Sequence, residues 1–515
     1  MAISIWARTA HCRCSRRCPP SDGSAVVSTP ARIEYGDWQT PHVLAAAITE
    51  KLARLLSVAP KTVIEPTCGV GAFLVAASKE FPEAQLRGFD INPDYVAHAA
   101  TLVPPDRSKI RTMDFFAINW EHELSKLPGP LLILGNPPWV TSAQLGSLAS
   151  VNLPKKENFK KLSGLEALTG KSNFDVSEWM LLRLMAALQK RDATIAVVCK
   201  TAVARRVVEF VCQKNWRVIP VGLWRIDSLR HFDASVDAVF FVCRIGERSS
   251  QNVTWPVFHD LAGTTPAMNL GFVDGILVSD VQGFERTKHL AGDSAIEWRS
   301  GVKHDCSRVA ELDISNGYLV NGLGEVVDIE DDYVFPLLKS SDVANCRLLA
   351  TRRVLLTQKA LGEDTTQIRE KAPKTWAYLN KHKSLFDARK SSIYKNQPPF
   401  AMFGVGPYTL APWKVAISGM YKRLEFALLG TTNGKPILLD DTCYFAPFHS
   451  EKIAMAALDA LNSPIVRDYF EARVFWDAKR PINKSLLQSL NLQALLPVSE
   501  GDPRLRKPRQ QTLSF

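Results

Sequence analysis

The strongest constraint on this chain is a unit that recurs along its first half: a short apolar run, a turn holding glycine or proline, then a helix-forming stretch. It is met first in TVIEPTCGVGAFLVAASKEFP (62–82) and again in LRGFDINPDYVAHAA (86–100). KIRTMDFFAINW (109–120) and LLILGNPPW (131–139) supply a third and a fourth strand. SEWMLLRLMAALQK carries apolar residues at i, i+3, i+4 and i+7, which predicts a helix over Glu178–Lys190. ATIAVVCK (193–200) reads as a strand, AVARRVVEFVCQK (202–214) as a helix and DAVFFVCRI (237–245) as a strand. A helix from 40 to 56 precedes the series, behind Thr40-Pro41, a good helix start. Strands alternating with helices predict an α/β fold built on a doubly wound sheet.

Such a sheet binds ligands outside the carboxyl ends of its strands, so those ends carry the functional reading. In the first turn, Gly69 and Gly71 let backbone approach a ligand closely. The turn is not GxGxxG, and Glu65 puts a carboxylate where it would repel a pyrophosphate but hold an amino group. The second strand ends in Asp90, at the spacing where an acidic side chain grips a ribose diol. The third ends in Asp114-Phe115, a carboxylate that can accept from an adenine amine beside a ring that can stack on the base. The fourth, Leu131–Leu134, is stopped by Gly135, Asn136, Pro137-Pro138 and Trp139. Proline has no N–H and fixes its own φ, so the result is a stiff corner with an amide, exposed carbonyls and a flat aromatic. It suits a planar molecule carrying an –NH2 group. Together these ends describe a pocket for adenosine with a positive tail and no phosphates, which is the shape of S-adenosylmethionine.

The formal charge of +11 over 515 residues favours a polyanionic partner. No apolar run reaches membrane-spanning length, and no membrane association is expected. The basic start, MAISIWARTAHCRCSRRCPP, lacks the apolar core of a signal peptide. Cys199, Cys212 and Cys243 lie in apolar runs and read as core residues in a reducing compartment. Cys12, Cys14 and Cys18 beside His11 match no common zinc-finger spacing, and no metal is expected. After Arg248 the βα rhythm stops. The expected organisation is a flexible basic arm (1–30), a catalytic domain (31–250), a connecting region (251–290), a mixed α+β domain (291–497) and a basic tail (498–515).

The motifs YGDWQTPHVLA (35–45), VIEPTCGVGAFL (63–74), GFDINP (88–93), MDFF (113–116) and GNPPW (135–139), in this order, resemble those of the class I S-adenosylmethionine-dependent DNA methyltransferases. The resemblance is to the N6-adenine type with gamma motif order, the restriction-modification group, and is detailed over residues 33–245. It implies a Rossmann-like catalytic domain followed by a target-recognition domain. It implies cofactor contacts from Thr40, Pro41, Glu65, Thr67, Cys68, Gly69, Gly71, Asp90, Ile91, Asp114 and Phe115. It implies that Asn136 and the Pro137 carbonyl accept the two N6 hydrogens of a flipped-out adenine, with Pro138 stiffening the corner and Trp139 stacking on the base. Phe232, in HFDASVD, would be the second wall. Tryptophan at the fourth position of the corner departs from the usual Tyr or Phe and leaves N4-cytosine open. The same corner also serves RNA and protein-glutamine methyltransferases, but the large basic region behind it favours double-stranded DNA. With no nuclease motif in view, the expectation is a modification enzyme paired with a separately encoded restriction endonuclease. It would act in a bacterial cytoplasm, nucleoid-associated through DNA. The tail Gln511-Thr512-Leu513-Ser514-Phe515 resembles peptides that dock on sliding clamps.

Overall fold

A computed structural model of the protein describes residues 38–140, 175–246 and 252–496. The arm with Cys12, Cys14 and Cys18, and the tail with the clamp-like peptide, lie outside the described residues. By contacts the chain divides into two units. The smaller is Met1–Trp38 with Pro138–Val176; the larger is Gln39–Pro137 with Ser177–Phe515. In the smaller unit the Val176 N–H donates to the Val140 carbonyl at 2.9 Å, and Trp139 is buried.

The larger unit contains the expected sheet. Strands β1 (Thr62–Glu65) and β4 (Leu131–Gly135) are buried along their whole length, as unalternating apolar runs should be. They pair in parallel, Thr62 with Leu131 and Ile64 with Ile133. Next to β1 lie β2 (Gln85–Asp90) and β3 (Ser108–Thr112); next to β4 lies β5 (Ala193–Lys200). Strand β7 (Ala238–Ile245) runs antiparallel between β5 and β6 (Val218–Ile226). The central order is therefore β6-β7-β5-β4-β1-β2-β3, with its switch point between β1 and β4. Helices α1 (His42–Leu55), α2 (Ala72–Glu80), α3 (Pro93–Leu102), α4 (Trp120–Ser125), α5 (Val176–Leu188) and α6 (Thr201–Gln213) punctuate these strands. Helix α3 starts where Asn92 accepts from the N–H groups of Asp94 and Tyr95, with Pro93 at its first position.

Two expectations need correction. Residues 251–290 are not a connector. Strands β8 (Val253–Phe258), β9 (Met268–Val273) and β10 (Ile276–Val278) extend the same sheet to ten strands, β8 pairing in parallel with β6. The physical reason is aromatic packing: Trp255 stacks on Phe241 (5.2 Å, 14°) and Phe258 on Trp224 (4.8 Å, 3°). Helix α5 also begins two residues earlier than its apolar stripe indicated, because buried Val176 continues that stripe.

Beyond residue 290 the described residues build two larger sheets and a two-stranded ribbon, Thr431–Thr432 with Lys435–Pro436. One has Trp413–Ser418 paired antiparallel with Cys443–Phe448 and with Ala427–Leu429. It packs beneath helices Glu451–Asn462 and Pro464–Glu471 on a core of Trp298, Val415, Ile417, Phe448 and Phe470. The other has six strands, five of them antiparallel neighbours and the sixth, Leu438–Leu439, parallel to Val334–Leu338. Its core includes Val309, Leu355, Leu379, Phe386 and Phe400. This is the mixed α+β half.

Candidate active site

The carboxyl ends of β4, β1, β2 and β3 lie side by side in that order. Asn136, Glu65, Asp90 and Asp114 therefore form one row along a single edge of the sheet. The parallel register fixes the row: Glu65 sits opposite Gly88, and Asp90 opposite Thr112.

Glu65 is 3% exposed. Burial pushes its carboxyl well above the usual carboxylate range, the Leu74 N–H pulls the other way, and the charge of Asp90 adds to the rise. Its Oε2 is buried with no hydrogen-bond partner among the described residues. A buried acceptor left open at a strand end costs roughly 1–3 kcal/mol unless a ligand satisfies it. Gly135 stands beside it, and a Cβ there would lie 3.3 Å from Glu65 Cγ, so only glycine lets β4 turn this close to the carboxylate.

The turn after β1 is held from below. Asp90 Oδ2 accepts from the Gly69 N–H (2.8 Å) and Oδ1 from the Asn92 N–H (2.9 Å). Cys68 donates its N–H to the Phe89 carbonyl at 2.8 Å, and burial pushes its thiol far above the ordinary range, so it is no nucleophile. Gly69 takes φ +48°, and Gln39 Oε1 lies 2.5 Å from where its Cβ would be. Gln39 also accepts from the Val70 N–H (3.2 Å), so the residue before Thr40-Pro41 braces the glycine turn. Thr67 is half-buried and Gly71 caps α2. Ile91, 41% exposed, offers an apolar face beside Asp90.

At the β3 end the two phenylalanines divide their duties. Phe115 is buried against Trp120 (4.9 Å), and Asp114 Oδ1 accepts from the Phe116 N–H (2.9 Å). Phe116 is half-buried and stacks on Trp179 of α5 (4.7 Å, 19°). Trp179 was missed by the sequence reading. Its only sign was an aromatic on a stripe otherwise aliphatic.

At the β4 end, Asn136 is half-buried and its Nδ2 donates to Thr40 Oγ1 at 3.3 Å. Pro41 is the N-cap of α1. This ties the first motif to the fifth, 96 residues apart. Phe232 ends the short helix α7 (Ser228–Phe232) and is buried. It enters β7 by way of Asp233, in the left-handed region at φ +53°.

The row of acceptors, the glycine turn and the buried open carboxylate fit a ligand with an adenosine part and an amino tail, which is what S-adenosylmethionine presents. Among the described residues no group of three His, Cys, Asp or Glu is placed to hold a metal ion. The fold and this edge are those of the class I, S-adenosylmethionine-dependent methyltransferases.

No family model matches the chain. It is 44% identical over 473 residues, 91% of its length, to the type II methyltransferase M.NspV of Nostoc sp., of which the match covers 98%. The chain belongs to the type II methyltransferase family. In fold it is similar to the type IIL restriction-modification enzyme MmeI, solved in complex with DNA, with a TM-score of 0.51 at 13% identity. That match covers 89% of this chain and 64% of the larger enzyme, so the chain spans under two thirds of it.

Proposed function

We propose that the protein is a site-specific DNA methyltransferase that methylates adenine N6 in a base turned out of the duplex. The observation that carries this is the row Asn136–Glu65–Asp90–Asp114, with Asn136 opening the corner NPPW. S-adenosylmethionine, when bound, supplies an electrophilic methyl on a sulfonium. The rest is positioning by the chain. Glu65 holds the cofactor's amino group, Asp90 its ribose, Asp114 its adenine amine, and Ile91 and Phe115 flank the ring. Asn136, with Nδ2 turned to Thr40, offers its amide oxygen to the target amine, and the Pro137 carbonyl takes the second hydrogen. Two acceptors on one –NH2 draw its lone pair out of conjugation with the ring and aim it at the methyl. Transfer is direct, so no covalent base intermediate forms. Phe232 stacks on the base, whose unstacking is offset by these contacts.

DNA as substrate is supported by the charge of +11 and by the α+β half behind the catalytic sheet. A partner endonuclease encoded separately, and a clamp contact through residues 511–515, belong to the same proposal.

Labelled methyl transfer to a mixed-sequence duplex, followed by nucleoside analysis, tests the reading. N6-methyladenine should appear, and Asn136→Ala should lower the rate by about 100-fold or more while leaving cofactor affinity intact. N4-methylcytosine would overturn the base assignment. Methylation of RNA or of a glutamine side chain, with none of DNA, would overturn the substrate.

A further inference from the structure

The tripeptide Gln39-Thr40-Pro41 reaches two places at once. Gln39 Oε1 accepts from the Val70 N–H (3.2 Å), in the turn that follows β1. One residue on, Thr40 Oγ1 accepts from Asn136 Nδ2 (3.3 Å), at the corner that follows β4. The Pro41 carbonyl then accepts from the Ala45 N–H (3.0 Å) and opens α1, whose inner face of Leu44, Ala45, Ile48 and Leu52 is buried in the core. Pro41 also confines Thr40 to extended backbone. Thr40 is therefore held on one side by a glycine turn and on the other by a packed helix. A side chain on so constrained a backbone can position a neighbour.

What it positions is an amide. The two ends of the Asn136 side chain are nearly equal in size and opposite in sense, since the oxygen accepts and the nitrogen donates. A substrate –NH2 needs the oxygen. Turned the other way, the amide would set donor against donor. The shape of the corner does not choose between the ends, because a half-turn of the amide leaves its volume unchanged. A contact with a fixed acceptor does choose.

The Thr40 hydroxyl can accept or donate, so its own proton has to be committed elsewhere. Glu65 lies beside Gly135, the residue before Asn136, and in the proposed chemistry it takes the cofactor's amino group. The carboxylate of S-adenosylmethionine sits on the same carbon as that amino group and needs a donor. An O–H given to the carboxylate leaves Thr40 only lone pairs for Asn136.

We propose that Thr40 is a positioning residue. Its hydroxyl keeps the Asn136 nitrogen on its own side, so that the amide oxygen faces the substrate amine, and cofactor binding locks this orientation. The proposal rests on Asn136 being the acceptor for a substrate –NH2, whichever base carries it.

The test uses the full chain, isotope-labelled at its asparagine side chains and followed by NMR. The amide signal that Asn136→Ala removes belongs to Asn136. Thr40→Val keeps the side chain's shape without its hydroxyl, and Thr40→Ser keeps the hydroxyl. S-adenosylhomocysteine, which has the cofactor's tail but no methyl to give, should slow exchange of the Asn136 amide protons by about tenfold in the wild type and in Thr40→Ser, and should not in Thr40→Val. The single-turnover rate of methyl transfer, at saturating cofactor and DNA, should fall about tenfold in Thr40→Val and recover in Thr40→Ser. A loss confined to cofactor affinity, with that rate and the amide exchange as in the wild type, would overturn the positioning role and leave the methyltransferase reading standing. If the wild type methylates no DNA, the methyltransferase reading falls, and the amide exchange decides on Thr40 by itself: protection by S-adenosylhomocysteine that survives Thr40→Val overturns the proposal.

Discussion

Glu65 is a carboxylate kept from water at the point where strand order reverses. Burial favours its neutral form, yet a cofactor amino group would need the anion. Binding of a cationic ligand therefore has to ionise Glu65, and affinity should rise with pH until the free carboxyl has already lost its proton. Calorimetric titration of S-adenosylmethionine across pH should show this slope in the wild type and none in Glu65→Gln. Lys414 poses the opposite problem. It is 1% exposed, its Nζ donates to the Ala411 carbonyl (2.8 Å), and burial drops its pKa from 10.5 to about 7. Between those values the unfolded chain binds the proton and the folded chain does not, so stability rises with pH across that window. The full penalty is present below about 7 and vanishes above about 10.5. Lys414→Met should raise the denaturation midpoint at pH 7, by a stability on the order of a few kcal/mol, and remove the pH slope. A midpoint that falls at every pH would sink this account.

At the scale of elements, β6 shows how local signals mislead. VIPVGLWRI contains a proline and a glycine, which read as strand breakers, and the sequence analysis passed over it. The structure keeps the strand by shifting register between Pro220 and Gly222. Gly222 is required there, because its Cβ would meet the Trp224 ring at 2.7 Å. Trp224, stacked on Phe258, then binds β8 to β6, and Trp255, stacked on Phe241, binds it to β7. Trp255 is fully buried, so Trp255→Ala should cost about 3–5 kcal/mol, measured as a lower urea midpoint, and Trp255→Phe should recover most of it. Little loss in the alanine variant would mean that β8 is dispensable to the sheet. By contrast, the ends of β1 to β4 were legible, because a glycine turn, a strand-end acid and a proline corner each depend on neighbours a few residues away.

Over the whole molecule the two halves are not separable where the sequence changes character. Ser279 follows β10, and its N–H and hydroxyl donate to the carbonyls of Ala472 and Glu471, both at 2.9 Å. A fragment ending near residue 250 would strip β6 of its β8 neighbour and expose Trp224 and Phe241. It should be insoluble or bind the dye ANS, whereas the full chain should unfold in one cooperative step. A soluble fragment that binds cofactor with wild-type affinity would refute this. The basic residues of the later half are also less available than their number implies. Lys381 pairs with Glu325, Lys383 with Asp387 and Arg352 with Asp313 and Asp342, while Arg353 donates to the Ala350 and Arg352 carbonyls.

The sequence by itself determined the alternation of strands and helices in the catalytic half, which residues stand at the ends of β1 to β4 and the class of cofactor, because these rest on short motifs whose geometry is local. Only the tertiary structure decided that Phe115 is buried while Phe116 meets Trp179, that Asn136 leans on Thr40, and that residues 253–278 join the sheet. Each of these depends on pairing or packing between segments tens to hundreds of residues apart. Such contacts are chosen by which surfaces fit once the core has closed, and no local pattern records that choice.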